Sequence, residues 1–354
     1  MSMKEILSKI CGLACLGAAA FFSFSCAKSE GNSGNEDELR HLEAWIQVNH
    51  PGVKASGDGI YVLSDTKADG KTYGGENYVL FDYTVRSLDG KVQSTTSEAI
   101  AKQVGTYNAS NYYGMRTFLA ANEGVQVGIL NMLEGMRVGE TKTALIPSWL
   151  TGTKKRADAE AYFKHTQKDA SSYIYELTLR DFTDDVVSRE ISQCTAYVHS
   201  VLDAQLDTVS YGFWYKKLAG KDTVSLPSDS TIYINYIGRT IPDGHVFDTN
   251  VADTAKFYGI YKSSRTYTPY SVTLAEEYAN YSMDSGSSSS SNYSSSSSDM
   301  TSGFAHAISL MHPYERGTAV FISPFGYGST GSGNSVPPYA SLRFDIWLVD
   351  NPND

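Results

Sequence analysis

The stretch INYIGRTIPDGHVFDTN, residues 234–250, decides the fold. An alternating strand runs to Asp243-Gly244, a dipeptide suited to a tight hairpin turn, so the segment predicts two antiparallel strands. The preceding YGFWYKKLAGKDTVSLPSDSTIY, from Tyr211, adds a short aromatic-rich strand and a polar turn. The same arrangement occurs upstream as GIYVLSDTKADGKTYGGENYVLFDYTVRSLDGKV, from Gly59, with Asp89-Gly90 at the turn. The chain is therefore an internal repeat, and every other motif is read against it.

Both copies continue alike. LNMLEGMRVGETKTALIPSWL from Leu130 and ISLMHPYERGTAVFISPFGYG from Ile308 each offer a short helical segment, a turn, a strand and a proline. SYIYELTLRDF from Ser172 and SLRFDIWLVD from Ser341 close them as alternating strands. Strands, one short helix, then strands predict an α+β fold, a helix laid on a twisted antiparallel sheet. Each copy follows an amphipathic stripe: Leu39, Leu42, Trp45 and Ile46 before the first, and Val187, Ile191, Cys194, Val198, Leu202 and Leu206 before the second. Such helices pack on the edge of their own unit or pair two chains. Lone Cys194 on its stripe reads as a small buried hydrophobe.

The second copy resembles the FKBP-type peptidyl-prolyl isomerases from Thr231 to Asp350, on four motifs in order: the opening stretch, PYSVTL from Pro269, SPFGYGSTG from Ser323 and VPPYASLRFDIWLV from Val336. The resemblance implies a half-barrel sheet wrapped on a short helix, with an aromatic pocket that accepts a peptide proline. It places Tyr236, Phe247 and Asp248 in that pocket, with Tyr270 on the next strand, Phe304 where the family usually has a floor tryptophan, and Phe344 at the base. Thr301 falls where a backbone N–H meets the ligand, Val336 at an aliphatic wall, and Tyr327 at the tyrosine that bonds the substrate carbonyl. On pattern alone Tyr236 and Phe344 are core residues and Asp248 caps a turn. Tyr327, in a glycine-rich loop, is hardest to explain as core. In the first copy Tyr83 is kept, but Gln93 and Ser94 stand in place of Phe247 and Asp248, Ile129 stands for the floor residue, and no tyrosine-glycine follows Pro147. That copy reads as a scaffold or peptide-binding unit without catalysis.

Isomerisation needs no nucleophile, cofactor or metal. The seven histidines show no metal spacing, and GYGSTGSG lacks the lysine of a phosphate-binding loop. A net charge of -10 with no Lys/Arg-dense segment argues against nucleic acid. Lys4 and Lys9 precede an apolar run from Ile10 to Phe24 that is short for a membrane span and has the layout of a secretory signal. FFSFSCAKSE resembles a lipobox with Ser25 before Cys26, despite Ser23 and Phe24 upstream. The expected order is a signal over 1–25, a lipidated tether over 26–36 whose acidic stretch resembles a surface-export signal, and a degenerate unit with its leading helix over 37–182. A linker helix over 183–210 and the isomerase unit over 211–350 follow, the latter interrupted by a disordered serine-rich insertion over 282–302. The expected protein is anchored by lipid in the cell envelope, at an outer membrane facing the periplasm or the surface, and acts on proline-containing peptides or folding envelope proteins. The alternative is a binding or chaperone module with little turnover.

Overall fold

A computed structural model describes residues 34–165, 170–202, 208–220, 224–284 and 300–351. The expected signal, Cys26 and Leu206 lie outside the described residues. The first antiparallel sheet contains β1 (Tyr61–Thr66), β2 (Tyr78–Arg86), β3 (Val92–Thr95), β4 (Arg116–Leu119), β5 (Thr141–Ile146) and β6 (Tyr173–Thr183). Its order is β1-β5-β6-β2-β3, with β4 also on β2. The second contains β7 (Thr208–Ser210), β8 (Phe213–Ala219), β9 (Thr231–Thr240), β10 (Val246–Thr249), β11 (Tyr270–Thr273), β12 (Ser282–Asp284), β13 (Arg316–Phe321) and β14 (Leu342–Val349), in the order β12-β11-β9-β14-β13-β8-β7 with β10 on β9.

The repeat is thus one of topology. The path β8-β13-β14-β9, with β10 and β11 both on β9, reproduces β1-β5-β6-β2 with β3 and β4 both on β2. Register agrees to the residue: Asp248 faces Gly238 as Ser94 faces Val85, each beside an irregularity in the pairing. Gly90 and Gly244 both take positive φ in the intervening turns, which favours glycine there.

Helix α1 (Gly34–Asn49) leads the first unit and buries Leu42 and Ile46. Three short helices follow, α2 (Glu98–Gln103), α3 (Val127–Leu133) and α4 (Ala159–Phe163), and α5 (Val186–Val201) then leads the second unit. That unit adds α6 (Ala252–Phe257) and α7 (Ser302–Ser309). The second sheet is covered on both faces at β8 and β13. Phe213, Ala319 and Phe321 turn into the cluster that holds Phe304 and Ile308 of α7. Trp214 and Val320, one residue out of phase, join Cys194, Tyr197 and Val198 of α5. Alternation explains the two sets, and double burial explains why TAVFI in β13 reads as a continuous apolar run. Burial raises the Cys194 thiol to about 12, so it stays protonated.

Several expected extents need correction. The tether's last residues, 34–36, are already in α1. The linker helix is shorter than 183–210: the Asp185 side chain accepts from Ser188 N at 2.9 Å and opens it, and Thr208–Ser210 joins the second sheet as β7. The serine-rich insertion is not disordered to its edges, because Ser282–Asp284 pairs with β11 and Ser302 begins α7, with Met283 and Met300 packed on the core. Residues 285–299 lie outside the described residues. Helices α2, α4 and α6 exceed the one helix expected per unit. They are too short to show a helical period; Ser97 caps α2 and Asp158 caps α4, while α6 has no side-chain cap.

Candidate active site

Between α7 and the inner face of the second sheet lies a basin of aromatic rings. Phe304, on the first turn of α7, forms its floor, with ring centroids 4.7 Å from Phe344 of β14 and 5.4 Å from Tyr236 of β9. Tyr236 lies 5.7 Å from Tyr270 of β11. Phe247 of β10 stands nearly perpendicular to both Phe344, at 5.7 Å, and Tyr327, at 6.1 Å, in the edge-to-face geometry that aromatic quadrupoles favour. Val336 is buried in the same cluster, and Thr301 sits at the N-cap of α7 with its hydroxyl buried and without a partner among the described residues. All nine expected pocket residues therefore belong to one locality. Tyr236 and Phe344 are core residues, as alternation alone says, and their rings also form the basin's base.

Two further residues shape the basin. A Cβ on Gly238 would lie 2.7 Å from Phe247 Cζ and 3.0 Å from Phe344 Cε1, so only glycine lets the Phe247 ring lie against β9. In the first unit Val85 occupies this position, beside Gln93 instead of a phenylalanine.

Arg265 is the second. Its guanidinium pairs with Asp248 Oδ1 and donates to the Tyr270 hydroxyl at 2.6 Å and the Tyr236 hydroxyl at 3.2 Å. Tyr236 in turn donates to Asp248 Oδ2 at 2.5 Å. Asp248 Oδ1 also accepts from the N–H of the next residue, Thr249, at 2.9 Å. This network ties Asp248, Tyr236 and Tyr270 to one guanidinium and fixes one wall of the basin. Sequence reading missed Arg265 because α6 and its flanking loops separate it from Asp248; its signal was a cation set among Tyr261, Tyr267 and Tyr270.

Tyr327 differs. Among the described residues its hydroxyl has no hydrogen-bond partner, while burial foremost, with the Asp248 charge behind it, raises its pKa above the ordinary phenol value. It therefore remains a proton donor through the physiological range.

Among its described residues the first unit has no such arrangement. Tyr175, in the register position of Phe344, donates its hydroxyl to Gln126 Oε1 at 2.9 Å. After Pro147 the chain turns inward, burying Trp149 and Leu150, with the Trp149 ring edge-on to Phe163 of α4. The start of the segment that carries Tyr327 in the second unit, residues 148–150, is here part of the core.

A family model described as FKBP-type peptidyl-prolyl cis-trans isomerase matches residues 223–349. The second unit belongs to the FKBP family. The FKBP region thus runs from just before β9 to the end of β14 and includes every expected pocket residue. Similar solved structures include the three FKBP domains of wheat FKBP73, 14% identical over 82% of this chain and 94% of that chain, with a TM-score of 0.28. A peptidyl-prolyl cis-trans isomerase from Pseudomonas syringae pv. tomato is 17% identical over 47% of this chain and 92% of that chain, with a TM-score of 0.31. The N-terminal domain of FKBP42 from Arabidopsis thaliana is 16% identical over 42% and 94%, with a TM-score of 0.29. No curated protein matches the chain. Among the described residues there is no metal-binding group of three or more His, Cys, Asp or Glu, and no helix is long and apolar enough to cross a membrane.

Proposed function

We propose that the second unit catalyses cis-trans isomerisation of X–Pro bonds and that the first does not. The observation that carries this is the Tyr327 hydroxyl, a donor without a partner among the described residues, beside the Phe247 ring and above a basin in which Tyr236, Asp248, Tyr270 and Arg265 are occupied with one another. Rotation about an X–Pro amide is slow because resonance gives the C–N bond double-bond character, with a barrier of about 18–20 kcal/mol. The twisted amide is less polar than the planar one, so a dry aromatic basin favours it. A fixed donor holds the substrate carbonyl while the bond turns. Phe304, Phe344, Tyr236 and Phe247 supply the dry surface, Tyr327 the donor, and the Asp248–Arg265 pair the fixed wall. No bond is made or broken.

The substrates are proline-containing segments of proteins still folding, for which uncatalysed isomerisation takes tens to hundreds of seconds. The lipobox-like FFSFSC and the signal-like run before it support an anchor at Cys26 and a place in the cell envelope. A second reading, a prolyl-peptide binder with little turnover, is favoured by one residue: Phe304 offers a smaller floor than the tryptophan usual in the family.

A protease-free refolding assay limited by proline isomerisation tests the proposal. The chain accelerates the slow phase, and Tyr327→Phe, which removes one hydroxyl, lowers kcat/KM by about tenfold, the loss of one transition-state hydrogen bond. Unchanged refolding alongside saturable binding of a prolyl peptide selects the binder instead.

A further inference from the structure

The linker helix α5 carries a buried carboxylate that its packing does not require. Glu190 is 1% exposed and lies one turn from Cys194, on the face that packs against the sheet. Its Oε2 accepts from Ser323 N at 2.6 Å and from Ser341 Oγ at 3.3 Å, and its Oε1 accepts from Ser323 Oγ at 2.8 Å. A carboxylate withdrawn from water is costly unless its oxygens are well bonded, so an apolar residue would serve packing better.

The two serines bracket the loop that bears Tyr327 and Val336. Ser323 opens it, two residues after the end of β13, and Ser341 closes it, directly before β14. The connection continues inward: the Ser323 carbonyl accepts from Gly326 N at 2.8 Å and Gly328 N at 2.9 Å, the two residues flanking Tyr327. Gly328 O accepts from Tyr339 N at 2.9 Å, and Tyr327 O from Gly331 N at 3.1 Å. Ser341 O accepts from Ile241 N at 3.0 Å and ties the far end to β9.

The first unit repeats the device. Glu38 of α1 accepts from Ser148 Oγ and Ser172 Oγ, and Ser148 N donates to Ser172 Oγ at 2.9 Å. Ser148 follows β5 and opens a short 3-10 turn, as Ser323 does, and Ser172 immediately precedes β6, as Ser341 precedes β14. The helix before each sheet is therefore part of the repeating unit. Glu190 nevertheless lies outside the 223–349 matched by the family model.

We propose that Glu190 is a positioning residue for the prolyl pocket: from the linker helix it staples both ends of the 323–341 loop and so sets where the Tyr327 hydroxyl stands. The proposal rests on the isomerase reading for its kinetic consequence but not for its structural one. In the first unit the same staple closes a loop with no counterpart of Tyr327, its one tyrosine, Tyr162, accepting from Arg156 N at 2.8 Å; in the second the loop carries the donor, and the staple acquires a kinetic effect. The linker helix then belongs to the active unit, and a chain cut at the start of the family match lacks a part that the pocket needs.

The test uses the chain with Glu190→Ala, Glu190→Gln and Ser341→Ala, each with and without Tyr327→Phe, assayed well below its melting temperature. Misplacing a reacting group by about 1 Å costs up to about a hundredfold. Glu190→Ala is expected to lower kcat by about tenfold with a smaller change in KM, Glu190→Gln to recover part of that loss, and Ser341→Ala to lose about threefold. In the Tyr327→Phe background the loss from Glu190→Ala shrinks below about twofold, because the misplaced hydroxyl is already gone. An equal loss in both backgrounds, or a lowered melting temperature with kcat intact, overturns the proposal. Hydrogen exchange decides it even if the wild-type chain proves inactive: the Gly326 and Gly328 amides exchange at least tenfold faster in Glu190→Ala, and unchanged protection there overturns the staple whatever the pocket does.

Discussion

Gly238→Ala adds a single methyl at the back of the basin, and its effect can be worked from the distances. The new Cβ would lie 2.7 Å from Phe247 Cζ, 3.0 Å from Phe247 Cε2 and 3.0 Å from Phe344 Cε1, where ordinary contact begins near 3.4 Å. Phe344 cannot yield, because it is buried and packed against Phe304 at 4.7 Å and Phe321 at 5.8 Å. Phe247 is half-buried and yields, retreating by 3.4 − 2.7 = 0.7 Å or more into the space a proline ring would occupy. Overpacking costs about 1–3 kcal/mol, and a ring with solvent on one side falls at the lower end, about 1 kcal/mol. The kinetic cost is larger: the Phe247 wall and its edge contact with Tyr327 both move, and kcat/KM falls by about tenfold. Thermal unfolding with proline-limited refolding separates the two effects, a melting point lowered by a few degrees against activity lowered by an order of magnitude. Activity and melting temperature both at wild-type values would show that the Phe247 ring does not rest on β9 and would undo the description of the basin. The first unit points the same way: where Val85 replaces the glycine, Gln93 replaces the ring.

Arg265→Ala unties Asp248 and Tyr270 at once; with side-chain exposures of 28% and 34% the ion pair itself is partly screened, so stability falls by only about 1 kcal/mol while prolyl-peptide affinity drops several-fold, measured by calorimetry. Glu190 gives a pH signature. Burial raises its folded pKa above the ordinary carboxylate value of 4.5, outweighing its hydrogen bonds to Ser323 and Ser341, so the folded chain holds this proton more tightly than the unfolded chain does. Its contribution to stability is therefore full below about pH 4.5 and is lost as pH rises through the folded pKa, so Glu190→Gln compares better with wild type at pH 8 than at pH 5 in paired thermal melts. Phe304→Trp enlarges the floor and adds a fluorophore there; prolyl peptide is expected to bind more tightly and to shift its emission, and an emission indifferent to saturating peptide would place the peptide elsewhere.

The hairpins and closing strands were legible because alternation and Asp-Gly turns are local signals; the pocket aromatics were legible only through the resemblance of four motifs, since alternation alone reads Tyr236 and Phe344 as core and says nothing of Phe304 on α7 or Tyr327 in its loop. Arg265 was not legible, since its meaning depends on a partner across α6, and in the chain it reads as one more solvated cation. Glu190 left a trace: three residues after Val187 and four before Cys194, it is an acid on an apolar stripe, and only the serines at the ends of a distant loop explain it. Strands β7 and β12 were hidden by composition, because Thr208–Ser210 and Ser282–Asp284 are largely polar and take their structure from the edges they extend.

The most direct test of the central claim is exchange spectroscopy by NMR on a short X–Pro peptide, whose cis and trans resonances exchange too slowly to couple without a catalyst. The chain is expected to produce exchange cross-peaks that Phe247→Ala with Tyr327→Phe abolishes, leaving the intact first unit inert. Cross-peaks that survive this double substitution would place the activity outside the second basin and contradict the account.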